Sequence, residues 1–202
     1  MTPPPEATEA WRTFYLCLRE QTDALWAATA QSLGLTIARR RGAFVSYDGE
    51  GTLIVAPYDE MDADDHLAQI VTHELAHLAV QGPSSKREVD WGLDNMSDAH
   101  VPRELAALRV QASWCDLHGL RDVLVPTTAF RAAWPGIGAA PFDPPGAGLP
   151  EPIEGTRITA QMREDAAALA HGAELRESLG DAIHDALAQT AHASRALLRD
   201  SM

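Results

Sequence analysis

Two histidines in the segment His73-Glu74-Leu75-Ala76-His77 lie four residues apart, with a glutamate directly after the first. In a helix, side chains at positions i and i+4 share one face about 5–6 Å apart, so both imidazoles can bind one divalent ion. Glu74 projects from the same helix roughly 100° further round. From there it can hold or polarise a metal-bound water as a general base. The spacing predicts a metal site, and the alternative is a structural pair of histidines.

The residues around these histidines predict a buried central helix from Asp65 to Gln81. Apolar residues cover most of the helix circumference, which is typical of a helix enclosed by other elements. They are Leu67, Ile70, Val71, Leu75, Leu78 and Val80. The acids of residues 61–65 are expected to cap the N-terminus and to fill the first turn. Gly82-Pro83 is expected to end the helix.

Glu104 is the best candidate for the third protein ligand that a mononuclear catalytic site requires. Residues 102–118 form a second predicted helix, with Pro102 at its first position. On a 3.6-residue wheel Glu104 lies within an apolar stripe. Leu108, Gln111 and Cys115 share that stripe, whereas Arg103, Arg109, Ser113 and Asp116 lie on the opposite side. An unpaired carboxylate in such a stripe would be costly, and a metal ion would offset that cost.

Alternatives remain open both for this carboxylate and for the third ligand. Glu104 could form a salt bridge with an arginine such as Arg87. Other possible ligands, all in the segment between the two helices, are Asp90, Asp94, Asp98 and His100. The metzincin pattern is excluded, because Val80 and Pro83 occupy the positions where it requires a glycine and a third histidine. A third ligand on the following helix fits a gluzincin-like arrangement instead.

Three further stretches accompany the HExxH motif. They are Gly82, the sequence Arg-Glu-Val-Asp-Trp-Gly at 87–92, and Glu104 followed by Leu-Arg-Val-Gln-Ala at 108–112. This combination, from Ile70 to about Cys115, resembles the elongation factor P hydroxylase family. Members of that family carry an HExxH helix, a glycine, an Arg-Glu-x-x-Asp-aromatic-Gly-like stretch, and a Glu-bearing helix that ends in a Lys-Pro-Gln-Ala-like sequence. The match covers under a quarter of the chain. It departs from the family at Val110, where the family has proline, and at Leu93-Asp94-Asn95, where the family is rich in aromatic residues.

The resemblance implies a non-haem iron-type site that hydroxylates a modified lysine on the translation factor. By motif position, its metal ligands would be His73, His77 and Glu104. The residues that lie behind these ligands or face the substrate would be Glu74, Arg87, Asp90 and Gln111. An amide such as Gln111 can orient an imidazole through its second ring nitrogen. Two histidines and one carboxylate also leave positions open for O₂ and substrate.

Three functions are compatible with these residues. The first is a metal-dependent hydroxylase acting on elongation factor P, with iron favoured and zinc possible as the divalent metal. The second is a gluzincin-like zinc metallopeptidase with Glu74 as the general base. The third is a non-catalytic relative that uses the fold as a binding module. No tyrosine or histidine placed to stabilise an oxyanion follows the helix, which argues against the peptidase.

Composition limits the class of partner. The 202 residues suit one domain with a substantial core. A net charge of −13 argues against nucleic-acid binding and suits a cationic protein substrate. Cys17 and Cys115 lack CxxC spacing, and the residues near Met1 contain no long apolar run of the kind found in a signal peptide or a membrane span. We therefore expect no disulfide and a cytoplasmic location.

The pattern along the chain predicts an α+β, zincin-like single domain in which a small β-sheet packs on the central HExxH helix. A helix is expected over residues 6–33, followed by three short strands. The strands are expected at 35–39, 43–47 and 52–56, with a hairpin joining the last two. Residues 120–133 are expected to be helical after Pro126.

The predicted organisation has three sections. Residues 1–133 form the metal-binding catalytic core, and residues 134–156 form a connecting arm rich in proline and glycine. Residues 157–202 form a helical C-terminal section packed on the core, with two helices broken near Gly172 or Gly180.

Overall fold

The computed structural model of the chain describes residues 8–94, 98–128, 130–142, 158–174 and 181–200. In chain order its helices and strands are α1 (Glu9–Ser32), β1 (Thr36–Arg39), β2 (Val45–Tyr47), β3 (Thr52–Val55), α2 (Leu67–Gln81), α3 (Val101–His118), α4 (Ala160–Glu174) and α5 (Asp181–Asp200). Several helices and one small sheet confirm the predicted α+β class. Among the described helices, none combines the length and the apolar character needed to cross a membrane.

The three strands form one sheet in the order β1-β3-β2. β1 runs parallel to β3, whereas β2 runs antiparallel to it, with Val45 opposite Val55. The turn between β2 and β3 confirms the predicted hairpin. Asp48 Oδ1 accepts hydrogen bonds there from the backbone N–H groups of Glu50 and Thr52, at 2.7 and 2.8 Å. The sheet packs on α1 and on the segment Val89–Gly92, and that segment packs in turn on α2. A short segment therefore links the sheet to the central helix.

α1 packs on α2 and α5, and it also holds the loop that precedes α2. The Arg19 side chain donates hydrogen bonds at 2.7–2.8 Å to three carbonyl oxygens of that loop, those of Asp62, Ala63 and Asp65. One guanidinium thus satisfies three backbone acceptors and fixes where the chain enters α2.

α2 corresponds to the predicted central helix and ends at the same residue, Gln81. Its N-terminal cap differs from the prediction. The N-cap residue is His66, whose Nδ1 accepts a backbone hydrogen bond from the first turn at 3.4 Å. The acids expected to cap the helix have other partners: Asp64 pairs with Arg131, and Asp65 accepts a hydrogen bond from Thr127 Oγ1 at 2.5 Å. These long-range contacts secure a later segment of the chain against the start of α2.

The interior position of α2 is as predicted. All of its residues are buried except Glu74, Ala79 and Gln81, since α1, α3 and α4 pack around it. Gly82 ends the helix with a φ of 83°, a conformation that residues with a side chain rarely adopt.

α3 begins and ends close to the predicted limits and is more enclosed than predicted. Val101 is its first residue, and Gly119 ends it in the left-handed conformation with a φ of 68°. Arg109, which the helical wheel places on the side opposite the apolar stripe, is nevertheless only 5% exposed. Its guanidinium donates a hydrogen bond to the Pro141 carbonyl oxygen at 2.5 Å. Residues far along the chain therefore cover the side of α3 that lies opposite the apolar stripe.

The segment after α3 differs from its prediction as well. Residues 120–130 form turns and irregular structure where they are described, and a short 3₁₀ helix follows at Arg131–Gly136. The prediction of a helix after Pro126 is therefore wrong. Side-chain contacts hold this segment in place. Trp134 is 5% exposed and anchors the start of the predicted arm, whereas residues 143–156 of the arm lie outside the described residues.

The predicted pair of C-terminal helices is present as α4 and α5. α4 packs on α3, and α5 packs on α1. α4 continues through Gly172 to Glu174, so it is not broken at that glycine. Gly180, the other predicted break, lies outside the described residues.

The buried cap of α2 predicts a loss of stability in acid. Burial lowers the pKa of His66 from 6.5 to about 4. The unfolded chain therefore binds more protons than the folded chain in that window, and stability falls as the pH drops from 6.5 towards 4. This one group accounts for about 3 kcal/mol of unfolding free energy. We expect His66→Asn, which keeps a capping oxygen but does not titrate, to reduce the acid loss measured by urea unfolding with a chelator present. His73 and His77, whose pKa burial lowers in the same way, still contribute to the loss in this variant.

His192→Asn is the matched control, because His192 is an exposed histidine on α5. It should leave the pH dependence unchanged. An identical acid loss in wild type and His66→Asn would contradict the assignment to His66.

Candidate metal centre

The side chains of His73, His77 and Glu104 meet where α2 packs on α3. The two Nε2 atoms are 3.1 Å apart, and His77 Nε2 lies 3.5 Å from Glu104 Oε1. His73 Nε2 lies 3.9 Å from Glu104 Oε2. All three residues are buried, and in the described part of the chain they form the one cluster of potential ligands suited to a metal ion. The structure thus brings together the three residues predicted as ligands.

These distances fit a bound cation. Zinc or iron binds imidazole nitrogen and carboxylate oxygen at about 2.0–2.2 Å, which places neighbouring ligand atoms roughly 3.0–3.5 Å apart. Two of the three separations, 3.1 and 3.5 Å, fall in that range, and the third exceeds it by a few tenths of an ångström. The ligand atoms are therefore placed for a metal ion with little rearrangement of the side chains.

The carboxylate of Glu104 supplies a second indication of a cation. Glu104 is 6% exposed, and its Oε2 is buried without a hydrogen-bond partner among the described residues. Burial raises the pKa of Glu104, although the neighbouring His73 and His100 oppose that rise. Its place in the first turn of α3 also favours a negative charge. Desolvation outweighs these effects, and a metal ion would compensate the buried charge.

Among the described side chains, neither the alternative partner of Glu104 nor the alternative ligands belong to this cluster. Arg87 has an exposed side chain, which does not suit a salt bridge with the buried Glu104. Asp90 accepts a hydrogen bond from the Tyr47 backbone N–H at 2.8 Å. His100 Nδ1 accepts one from the Asp94 N–H at 2.6 Å. The side chain of Asp98, the other candidate ligand, lies outside the described part.

Gln111 orients His73 from behind. Its Nε2 donates to the Leu124 carbonyl oxygen at 3.0 Å, and its Oε1 lies 3.0 Å from His73 Nδ1. Because a carbonyl only accepts, this contact sets the amide orientation, and Oε1 must then accept the proton on Nδ1. The His73 Nε2 lone pair is consequently directed towards His77 and Glu104, which is the tautomer that metal binding requires.

The histidines are also in the protonation state that suits metal binding. Burial is the main cause that lowers the pKa of both His73 and His77 from 6.5 to about 4. Both imidazoles are therefore neutral near pH 7, and a metal ion does not have to displace a proton from a charged ring.

Glu74 lies beside this cluster and accepts a hydrogen bond from Trp91. Its Oε2 is 2.8 Å from Trp91 Nε1. Desolvation, only partly opposed by this hydrogen bond, raises the pKa of Glu74 to about 8. Glu74 is also the one residue between Leu67 and Leu78 that is only partly buried. A carboxyl group with these properties suits proton transfer near neutral pH.

Sequence reasoning missed Trp91 and Tyr47. Their rings stack in parallel with centroids 3.8 Å apart and an interplanar angle of 4°. Trp91 and Asp90 have φ values of 58° and 47°, the left-handed region that costs a non-glycine residue roughly 1–2 kcal/mol. The available signal was the Asp-Trp-Gly sequence, which draws attention to the segment but does not reveal that the indole faces Glu74.

The roles predicted for Arg87 and Asp90 stay predictions. Arg87 ends a short 3₁₀ segment, Pro83–Arg87, with its side chain exposed. Asp90 anchors the Val89–Gly92 segment to β2, and its charge contributes to the raised pKa of Glu74.

The triad predicts tight binding of a divalent metal that depends on Glu104. At a free Zn²⁺ concentration about 100 times the Kd, the wild-type chain should gain about 2.7 kcal/mol of unfolding free energy. Glu104→Ala should lose most of that gain, because it removes one of three protein ligands. Competition with a chromophoric chelator measures the affinity. Glu50→Ala, at the exposed tip of the hairpin, is the control, and stoichiometric metal in Glu104→Ala would place the third ligand elsewhere.

The hydrogen bond behind His73 predicts a smaller effect for Gln111→Leu. Loss of the acceptor frees the His73 ring to rotate and to change tautomer, so Zn²⁺ affinity should fall about 10–100-fold. Thr72→Val is the matched control, since it removes a hydroxyl group that donates to the Ala68 carbonyl at 2.5 Å and is buried beside His73. An equal loss in both variants would show that general damage to α2 is responsible.

Comparisons of the chain with models of known protein families, with curated proteins and with solved structures give no match.

Proposed function

We propose that the chain is a metal-dependent enzyme whose metal is held by His73, His77 and Glu104. The observation that carries this proposal is the buried triad itself, in which two neutral imidazoles face a carboxylate that has a buried, unpartnered oxygen. Three protein ligands leave positions open on a four- to six-coordinate ion, as a catalytic site requires.

The favoured reaction is hydroxylation of a modified lysine on translation elongation factor P, with non-haem iron as the metal. Support for this substrate comes from the resemblance of residues 70–115 to the hydroxylase family. Support from the chain as a whole is its net charge of −13, which suits a cationic substrate segment. A zincin-like arrangement, with α2 as the HExxH helix and α3 as the ligand-bearing helix, belongs to the same proposal.

The reaction requires a co-reactant besides the protein substrate. When bound, the metal supplies the centre at which O₂ is activated. One oxygen atom of O₂ enters a C–H bond of the lysine side chain, and the other leaves as water. Two electrons and two protons for that water come from an external reductant. Gln111 keeps His73 in its ligand tautomer, and the Glu74 carboxyl gives or takes a proton at the edge of the site.

A zinc metallopeptidase is the second candidate, and Glu74 favours it. This carboxyl group lies beside the triad, and its raised pKa of about 8 places it in the range of a working acid and base. In that case Glu74 accepts a proton from the water that attacks the peptide carbonyl and passes it to the leaving amine.

Metal content and product mass separate these functions. For the hydroxylase, freshly purified chain should contain iron, and incubation with elongation factor P, O₂ and a reductant should add the mass of one oxygen atom to the modified lysine. Mass spectrometry of the tryptic peptide measures this. His77→Ala should abolish the product, and His192→Ala, which changes an exposed histidine, should retain it.

The opposite result is zinc in the purified chain together with cleavage of a peptide library that is lost in Glu74→Gln. That outcome would replace the hydroxylase by the peptidase. A metal-loaded chain without turnover in either assay would support the binding module.

A further inference from the structure

The segment Val89–Gly92 has a backbone that needs external support. Asp90, Trp91 and Gly92 have φ values of 47°, 58° and 76°, so three successive residues are left-handed. At Gly92 the φ of 76° itself favours glycine, whereas the Glu88 carboxylate that an added Cβ would meet belongs to an exposed side chain that can move away. Side chains at the other two positions disfavour this conformation.

The support comes from Tyr47 on β2. Its backbone N–H donates to Asp90 Oδ1, and its phenol donates to the Lys86 carbonyl oxygen, both at 2.8 Å. Its ring stacks on the Trp91 indole at 3.8 Å. One residue of the sheet thus holds the Asp90 side chain, the Trp91 ring and the backbone that leads into the segment.

Because the segment is held in this way, the indole N–H of Trp91 points towards Glu74. Trp91 is 2% exposed, and its Nε1 donates to Glu74 Oε2 at 2.8 Å. Because one carboxyl oxygen accepts from a buried donor, this hydrogen bond restricts the orientations that the Glu74 side chain can adopt next to His73. A carboxyl group that transfers protons at a metal must be held in this way, because a side chain with several rotamers reaches the productive geometry only part of the time.

We propose that Trp91 is the positioning residue of Glu74, and that the left-handed Asp90–Gly92 turn, fastened to Tyr47, aims its indole N–H. Trp91 acts through Glu74 and touches no substrate. The proposal rests on the proposed function in one respect, that the His73, His77 and Glu104 triad holds a metal. A purely structural role for Trp91 makes a different prediction: only the ring would matter, and its N–H would have no effect on the metal centre.

Trp91→Phe separates the two roles, since phenylalanine can still stack on Tyr47 but has no N–H. Co²⁺ is the probe, because its visible absorption bands respond to the geometry and hydrogen bonding of its ligands. We expect both Trp91→Phe and Glu74→Gln to shift these bands. The double variant should match Glu74→Gln alone, because Trp91 acts only through that carboxyl group. Co²⁺ affinity should stay close to wild type, since all three ligands remain.

Trp26→Phe is the matched control. Trp26 is also a fully buried tryptophan, and its Nε1 donates to Thr190 Oγ1 at 2.9 Å. Its replacement removes the same kind of hydrogen bond from the interface of α1 and α5. We expect a comparable loss of thermal stability and unchanged Co²⁺ bands.

A second measurement needs neither metal nor a folded Trp91→Phe variant. In ¹⁵N-labelled wild-type chain, the Trp91 indole N–H signal is assigned by its contacts with the Tyr47 ring. It should exchange slowly with solvent, and Glu74→Leu should shift it and speed its exchange. Unchanged shift and exchange would overturn the proposal.

The Co²⁺ experiment can also contradict the proposal. Co²⁺ bands identical in wild type and Trp91→Phe, or shifts that add fully in the double variant, would also overturn the positioning role. Failure of the wild-type chain to bind Co²⁺ would instead contradict the proposed function, and the indole measurement would still decide whether Trp91 holds Glu74.

Discussion

The burial of the Glu104 carboxylate opposite two imidazoles is the constraint on which the rest of the site depends. An ionised carboxylate removed from water is stable only with hydrogen bonds or a cation, and Oε2 of this one has no hydrogen-bond partner within the described chain. The two histidines are themselves held neutral by burial. The site is thus assembled from groups that do not satisfy one another without a positive charge at their centre.

The packing around α2 keeps water away from these groups. α1, α3 and α4 enclose the helix, and Arg19 and the Asp64–Arg131 pair hold the loops at its N-terminal end. Between Leu67 and Leu78, Glu74 is the one residue of α2 that is only partly buried. The small sheet contributes through Tyr47, which connects β2 to Glu74 by way of Trp91.

The sequence was informative where a feature is local. The four-residue spacing of His73 and His77, and the position of Glu104 on an apolar helical stripe, are consequences of helical geometry alone, and the structure brings the three together. Features that depend on distant residues were missed. His66 replaces the acids as the cap of α2 because Asp64 and Asp65 have partners more than 60 residues later. Arg109 is buried because Pro141 covers it, and no helical wheel contains that information.

The Val89–Gly92 segment gives the strongest reason to regard the site as more than a stable core. Glycine would adopt the left-handed turn at a lower conformational cost than Asp90 and Trp91 do. What glycine could not supply is the carboxylate that binds the Tyr47 N–H or the indole that binds Glu74. A strained backbone persists where its side chains are needed in that place. Here the two side chains hold Glu74 beside the candidate metal ligands, and both of the proposed reactions, hydroxylation and peptide hydrolysis, would use a carboxyl group held there.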